Sequence, residues 1–74
     1  MTFCKIHFRN PDGLTASVCY DKYSSVPYLS ICEPISHPLV REIYRNYYHD
    51  EKSAVKALKA YAKRHGMKPF SMDE

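Results

Sequence analysis

The chain is poor in the residues from which most phosphate, metal and redox sites are built. It has two glycines and no tryptophan among its 74 residues, so no glycine-rich loop is available to cradle a nucleotide phosphate. The cysteines stand at 4, 19 and 32 and the histidines at 7, 37, 49 and 65. None of the close pairs that fix a zinc geometry is formed: there is no C-x-x-C, no H-x₃₋₅-H and no H-E-x-x-H. Small buried thiols and solvated histidines are the plainer reading, so neither metal nor cofactor is expected. Apolar runs are only a few residues long, too short for a bilayer-spanning helix. The opening residues, Met-Thr-Phe-Cys-Lys-Ile-His-Phe-Arg, alternate and carry charge, unlike the apolar stretch of a secretory signal. An odd number of cysteines without such a signal reads as reduced thiols, and the expected setting is the cytoplasm. No repeat, low-complexity tract or linker divides the chain.

Eleven basic residues against eight acidic ones give a net charge of +3. The pI near 8.8 falls short of the value above about 9 expected of a dedicated nucleic-acid domain. The positive sign also excludes an acidic DNA mimic, which needs a large negative field. A hydrophobic fraction of 45% with a mean hydropathy of −0.51 is that of a folded chain. A domain this small buries only about 60% of its unfolded surface and usually needs a disulfide, a metal or a second subunit. With the first two not expected, a homodimer is one way to complete the core. Seven of the ten aromatic residues are tyrosine.

Residues 2–9 and 14–22 alternate as strands around Asn10-Pro11-Asp12-Gly13. Pro presets φ at the first turn position, and Gly13 can take the left-handed conformation of a bulged three-residue loop. That loop pairs Asn10 with Leu14. It sets Cys4 opposite Tyr20, Ile6 opposite Val18 and Phe8 opposite Ala16 on an apolar face. Lys5–Cys19, His7–Ser17 and Arg9–Thr15 form the polar face. A slip of one residue would mix the two faces, so Cys4 and Cys19 are not expected to form a disulfide. Residues 27–33 read as a third strand, with Tyr28, Ser30 and Cys32 on one side and Leu29 and Ile31 on the other. Its flanking Pro27 and Pro34 suit an edge, and Ser24-Ser25 is the expected turn before it.

From Leu39 onward the period changes. Leu39, Val40, Ile43, Tyr44, Tyr47 and Tyr48 recur at three and four, which predicts a helix over 38–48, capped by Ser36 or His37 with Pro38 in its first turn. A second helix is predicted from Glu51 to about His65. Asp50 is its N-cap, basic residues occupy its last turn, Gly66 sits at C′, and Ala54, Leu58, Tyr61 and Ala62 form its inner face. The predicted fold is α+β: a three-stranded antiparallel meander followed by two helices packed on one face. The single domain runs over 1–68, with 69–74 a loose tail.

No catalytic constellation emerges. Cys4 and Cys32 face the core. Cys19, beside Lys5, is the one thiol on the polar face, and no local signature marks it as a nucleophile. Pro11-Asp12 and Asp50-Glu51-Lys52 echo the acidic and lysine elements of a metal-dependent nuclease. One is a hairpin tip and the other a helix start, however, whereas that chemistry needs adjacent strands. The chain is therefore expected not to be an enzyme.

Two surfaces remain as candidates. Lys52, Lys56, Lys59 and Lys63 fall within about 60° of helix circumference at 100° per residue. Four ammonium groups in a row could meet phosphates or an acidic protein surface, although lysine is also the common choice for a solvated helix face. Tyr23 and Tyr28, flanking the serine turn and paired with Lys22, are the tyrosines expected at the surface; Tyr44, Tyr47 and Tyr48 are expected to serve the core. Lys5, His7 and Arg9 would add positive charge on the polar hairpin face. The Lys/Ala-rich segment Glu51–Lys59 resembles the last helix of double-stranded-RNA-binding domains, but those domains begin with a helix and this chain begins with strands. The expected function is a binding module that docks on a partner protein as an inhibitor or adaptor, its partner carrying an acidic surface. Small stand-alone chains of this kind are typical of phage- or plasmid-borne regulators of host machinery, anti-CRISPR and other anti-defence inhibitors among them. The alternative is a nucleic-acid-binding module that uses the lysine stripe.

Overall fold

Asn10 organises the first hairpin. Its side-chain oxygen accepts from the N–H groups of Asp12 and Leu14, both at 3.0 Å. Its own N–H donates to Leu14 O at 3.0 Å, the pairing expected of the bulged loop. Gly13 takes φ +91°, a conformation that favours glycine, and a Cβ there would press on Pro34 Cγ at 3.0 Å. We describe the chain from a computed structural model covering residues 2–36 and 39–70. The elements are β1 (Thr2–Arg9), β2 (Thr15–Asp21), β3 (Pro27–Ser36), β4 (Leu39–Tyr47), α1 (Glu51–Arg64) and β5 (Lys68–Pro69). The strands form one antiparallel sheet in the order β4-β3-β2-β1-β5.

This sheet corrects the expected architecture of a three-stranded meander with two helices. The first predicted helix, 38–48, is instead strand β4, paired along β3 from Ser36↔Leu39 to Tyr28↔Tyr47. A β-bulge explains the misleading period. Ile31 faces Tyr44 while Cys32 faces Glu42, which leaves Ile43 as an extra residue. An extra residue shifts the alternation of side chains by one, so Glu42 and Arg45 share a face three residues apart, as they would on a helix. The β-branched and aromatic content of the segment (Val40, Ile43, Tyr44, Tyr47) is that of a strand. The proposed cap at His37 and the placement of Pro38 lie outside the described residues, and Ser36 ends β3.

A second bulge corrects the first hairpin. The pairs Ile6↔Val18, His7↔Ser17, Phe8↔Ala16 and Arg9↔Thr15 are those expected, but the register shifts between Cys4 and Ile6. Lys5 becomes the extra residue, and Cys4 faces Cys19 instead of Tyr20. Their Cα atoms are 4.0 Å apart and the two cysteines form a disulfide, leaving Cys32 free. Such close approach belongs to a non-hydrogen-bonded antiparallel pair. The expectation of reduced thiols is overturned, and the cytoplasmic setting inferred from it loses that support. No helix among the described residues is long and apolar enough to cross a membrane.

Strand β3 is interior, not an edge, and its prolines fit for local reasons. Pro27 opens the strand, where only its carbonyl is used, accepting from Tyr48 N at 2.9 Å. Pro34 lies beyond the last β2 pair, Thr15↔Cys32, so its missing N–H faces no strand. The turn before β3 closes through Ser24 N to Asp21 O at 3.2 Å, so Lys22-Tyr23 form its centre, two residues earlier than the expected Ser24-Ser25.

Helix α1 matches its prediction. Asp50 accepts from Ser53 N at 2.8 Å, and Gly66 takes φ +65° after the His65 C-cap. Ala54, Leu58 and Ala62 are buried against Ala16, Val18, Leu29 and Ile31, with Met67 closing the cluster. The helix packs on β2 and β3 and more lightly on β1. Lys68 and Pro69, expected at the edge of a loose tail, pair with Arg9 and Phe8, and Phe70 N donates to His7 O at 3.1 Å.

The disulfide is directly measurable. Thiol titration of the unfolded, unreduced protein should find one reactive thiol, Cys32, and three after reduction. With the bridged positions 15 apart in sequence, reduction should cost about 3 kcal/mol and lower Tm by more than about 10 °C. Three thiols without reductant would remove the bond.

Candidate functional site

Alternation along the strands gives the sheet two unlike faces. One carries Ile6, Phe8, Ala16, Val18, Leu29 and Ile31 against α1. The other is built around Arg45. Its guanidinium lies 4.2 Å from the Tyr28 ring centroid, donates to Glu42 Oε1 at 3.0 Å and to Tyr47 OH at 3.1 Å, and reaches Asp21 at 3.9 Å. Ser30 donates to the other Glu42 oxygen at 2.5 Å. Tyr28 and Tyr47 pack with their rings tilted by 49° and their centroids 5.1 Å apart. Burial alone would push the Glu42 carboxyl up, but the Ser30 hydroxyl and the Arg45 hydrogen bond and charge hold it below the usual range.

The charges on β4 are thus spent within the molecule, since Arg41 pairs with Glu33 as well. All nine residues of β4 are exposed, and what they present outward is Leu39, Val40, Ile43, Tyr44 and Tyr47. Ile35, on the β3 side of the same hairpin, adds to this surface. Tyr44 and Tyr47, expected in the core, are each 48% exposed.

Between β4 and α1 lies a groove of about 450 Å³ lined by Leu29, Tyr44, Tyr48, Ala57, Ala60, Tyr61 and Arg64. It exists because α1 sits over β2 and β3 while the sheet continues to β4. Small alanines on this flank leave the space, three tyrosines wall it, and Arg64 stands at its rim. Tyr61 is held by stacking on His65, with ring centroids 4.2 Å apart.

The residues singled out from sequence do not converge. Lys52, Lys56, Lys59 and Lys63 are all exposed along α1, next round the helix from the groove residue Ala60 and not among the residues that line the groove, and form no ion pair among the described residues. Tyr23 is 90% exposed at the turn tip with Lys22 Nζ 5.0 Å above its ring. Tyr28 is 2% exposed and sealed under Arg45, so it is corrected from surface to interior. Lys5, turned by its bulge toward the start of α1, bonds Glu51 at 2.9 Å. Arg9 lies 4.7 Å from the Phe70 ring centroid, and His7 Nδ1 meets Ser17 Oγ at 2.8 Å. Cys19 is held in the disulfide, so it offers no thiol to a nucleophile. Sequence reasoning missed Arg64, Ala57 and Ala60 as groove residues, and Arg45 as the centre of the far face. The one signal available was the alanine pair on the helix flank next to Tyr61.

The chain matches no protein-family model, and comparison with curated proteins and with solved structures finds no match.

Glu51 links the helix start to the sheet. It accepts from Tyr20 OH at 2.6 Å and from Lys5 at 2.9 Å. Tyr20 and then Lys5 hold its carboxyl below the usual range, while Glu51 pushes the Tyr20 hydroxyl up, first by the hydrogen bond. Asp50 is held down by the Ser53 N–H. A lowered carboxylate contributes stability above its unfolded pKa of about 4 and loses it as pH falls through the folded value. A raised tyrosine contributes below about pH 10 and loses it above. Tm should therefore fall on both sides, below about pH 4 and above about pH 10. Glu51→Gln should flatten both limbs in a pH series of thermal melts; an unchanged alkaline limb would exclude the Tyr20–Glu51 bond.

Proposed function

We propose that the protein is a non-enzymatic binding module that docks on a partner protein, as an inhibitor or adaptor of the kind phage- and plasmid-borne regulators direct at host machinery, anti-defence inhibitors included. The observation that carries this reading is the tyrosine-walled groove beside β4. Its volume is that of a site for one or two side chains. Tyrosine and arginine are enriched at protein interfaces, tyrosine because it offers a large rigid contact at low entropic cost and arginine because its planar fork bonds carboxylates in pairs. Arg64 at the rim, with the lysines farther round α1, selects an acidic group next to an apolar one. The partner this fits presents an aliphatic or aromatic side chain for the groove and a carboxylate for Arg64.

The second reading, nucleic-acid binding, is supported by one observation: four exposed lysines in line, with Glu51 engaged by Lys5 and Tyr20 and unable to compensate them. Phosphate contacts by such a stripe would make affinity fall steeply with salt.

One paired experiment separates the two. A displayed peptide library selected on the folded domain should enrich sequences that set Asp or Glu beside an aromatic or aliphatic residue. Ala60→Glu, which fills the groove with negative charge, and Arg64→Glu should each weaken those peptides about tenfold or more. Lys52, Lys56, Lys59 and Lys63 changed together to Glu should leave the peptides bound. Salt-sensitive binding of mixed-sequence RNA or DNA that is lost in the fourfold variant, with no peptide enriched, would replace the groove reading by the nucleic-acid one.

A further inference from the structure

The outer edge of β4 carries a pattern of its own. Tyr48 N donates to Pro27 O, so Asn46 and Tyr44, two and four residues back, also turn their backbone groups toward β3. Tyr47 and Arg45 then turn theirs away from the sheet. Ile43 is the extra residue of the bulge, and Glu42 is the next to pair, opposite Cys32. Cys32 is engaged with Thr15 on the β2 side, so Glu42 also faces outward, and Val40 two residues further does the same. The outward groups therefore fall at 40, 42, 45 and 47, with intervals of two, three and two.

A regular strand offers its groups at intervals of two throughout and cannot match that edge. Bulges in edge strands are a common defence against unwanted pairing for this reason. The sequence of intervals is, however, its own reverse. A second β4, laid antiparallel about a two-fold axis between Ile43 and Tyr44, presents the same two, three and two. Bulge then lies against bulge, Val40 opposite Tyr47 of the other copy, and Glu42 opposite Arg45. All four side chains share the face that carries Tyr28 and Ser30, so each pair meets across the seam as apolar on aromatic or as opposite charges.

We propose that β4 is the interface of a homodimer in which two sheets join edge to edge, with Glu42 and Arg45 of each copy facing Arg45 and Glu42 of the other. The contact is isologous, as a two-fold dimer requires. It covers Val40, Ile43 and Tyr47, and it sets the two tyrosine grooves side by side on the helix face. The proposal does not depend on what occupies those grooves.

The test is sedimentation equilibrium of the oxidised protein across a micromolar to millimolar series, with amide hydrogen exchange at both ends of it. The expected result is a concentration-dependent dimer in which the N–H groups of Val40, Glu42, Arg45 and Tyr47 gain protection while those of Lys22 and Tyr23 do not. Val40→Pro removes an outward N–H without touching the β3 ladder, and by symmetry acts twice, so it should weaken the dimer at least about tenfold. Circular dichroism reports whether that variant folds; Val40→Lys, which keeps the N–H but places charge opposite Tyr47, serves where it does not, with weakening again expected. A protein monomeric at millimolar concentration would overturn the proposal. So would a dimer that both variants leave intact, or one that protects amides outside β4.

Discussion

One 14-residue helix must cover a five-stranded sheet, and it cannot. A helix is about 10 Å across and strands lie about 4.8 Å apart, so a single helix shelters roughly two strands. The core forms where α1 meets β2 and β3, from alanines and branched aliphatics with Leu58 at the centre. Everything distinctive about the surface follows from what is left over. On the helix face, β4 projects beyond α1 and opens the tyrosine groove. On the other face no helix arrives, and the sheet seals itself with side chains: the disulfide between β1 and β2 and, in the same row across the strands, Arg45 laid over Tyr28.

The features readable from sequence were those governed by local chemistry. Asn10 to Gly13 dictated a bulged turn and hence the pairing from Ile6 to Arg9. Asp50 and Gly66 marked the ends of α1, and its small buried face followed from Ala54, Leu58 and Ala62. The failures share one cause. A bulge inserts a residue and resets the alternation on which a period-two reading relies. At Ile43 it made a strand look helical, and at Lys5 it brought together two cysteines that a regular register keeps apart. Nothing in the residues adjoining either position announces a bulge, because what stabilises it lies across the sheet, in Glu42 with Ser30 and in Cys4 with Cys19.

Binding residues were legible only where exposure follows from helix geometry. The four lysines of α1 lie outward as their spacing required. The tyrosines could not be sorted in the same way, since a tyrosine serves core and interface equally well and the strand order decides which. Tyr28 is interior because β3 lies between two strands, and Tyr44 is at the surface because β4 does not. Arg64 acquires meaning only once β4 is placed beside α1.

The strand order also bears on how the chain reaches this state. From β1 to β4 each strand pairs with its neighbour in sequence, and few residues separate one strand from the next. Contacts of that kind form at small cost in loop entropy and favour rapid folding. Strand β5 is the exception, for it returns across the length of the chain to add two residues to β1. That pairing has little to recommend it until α1 has docked and carried Lys68 to the edge. The topology therefore favours growth as a meander, with the long-range closure last, and the β1 edge stays open for as long as the helix is undocked.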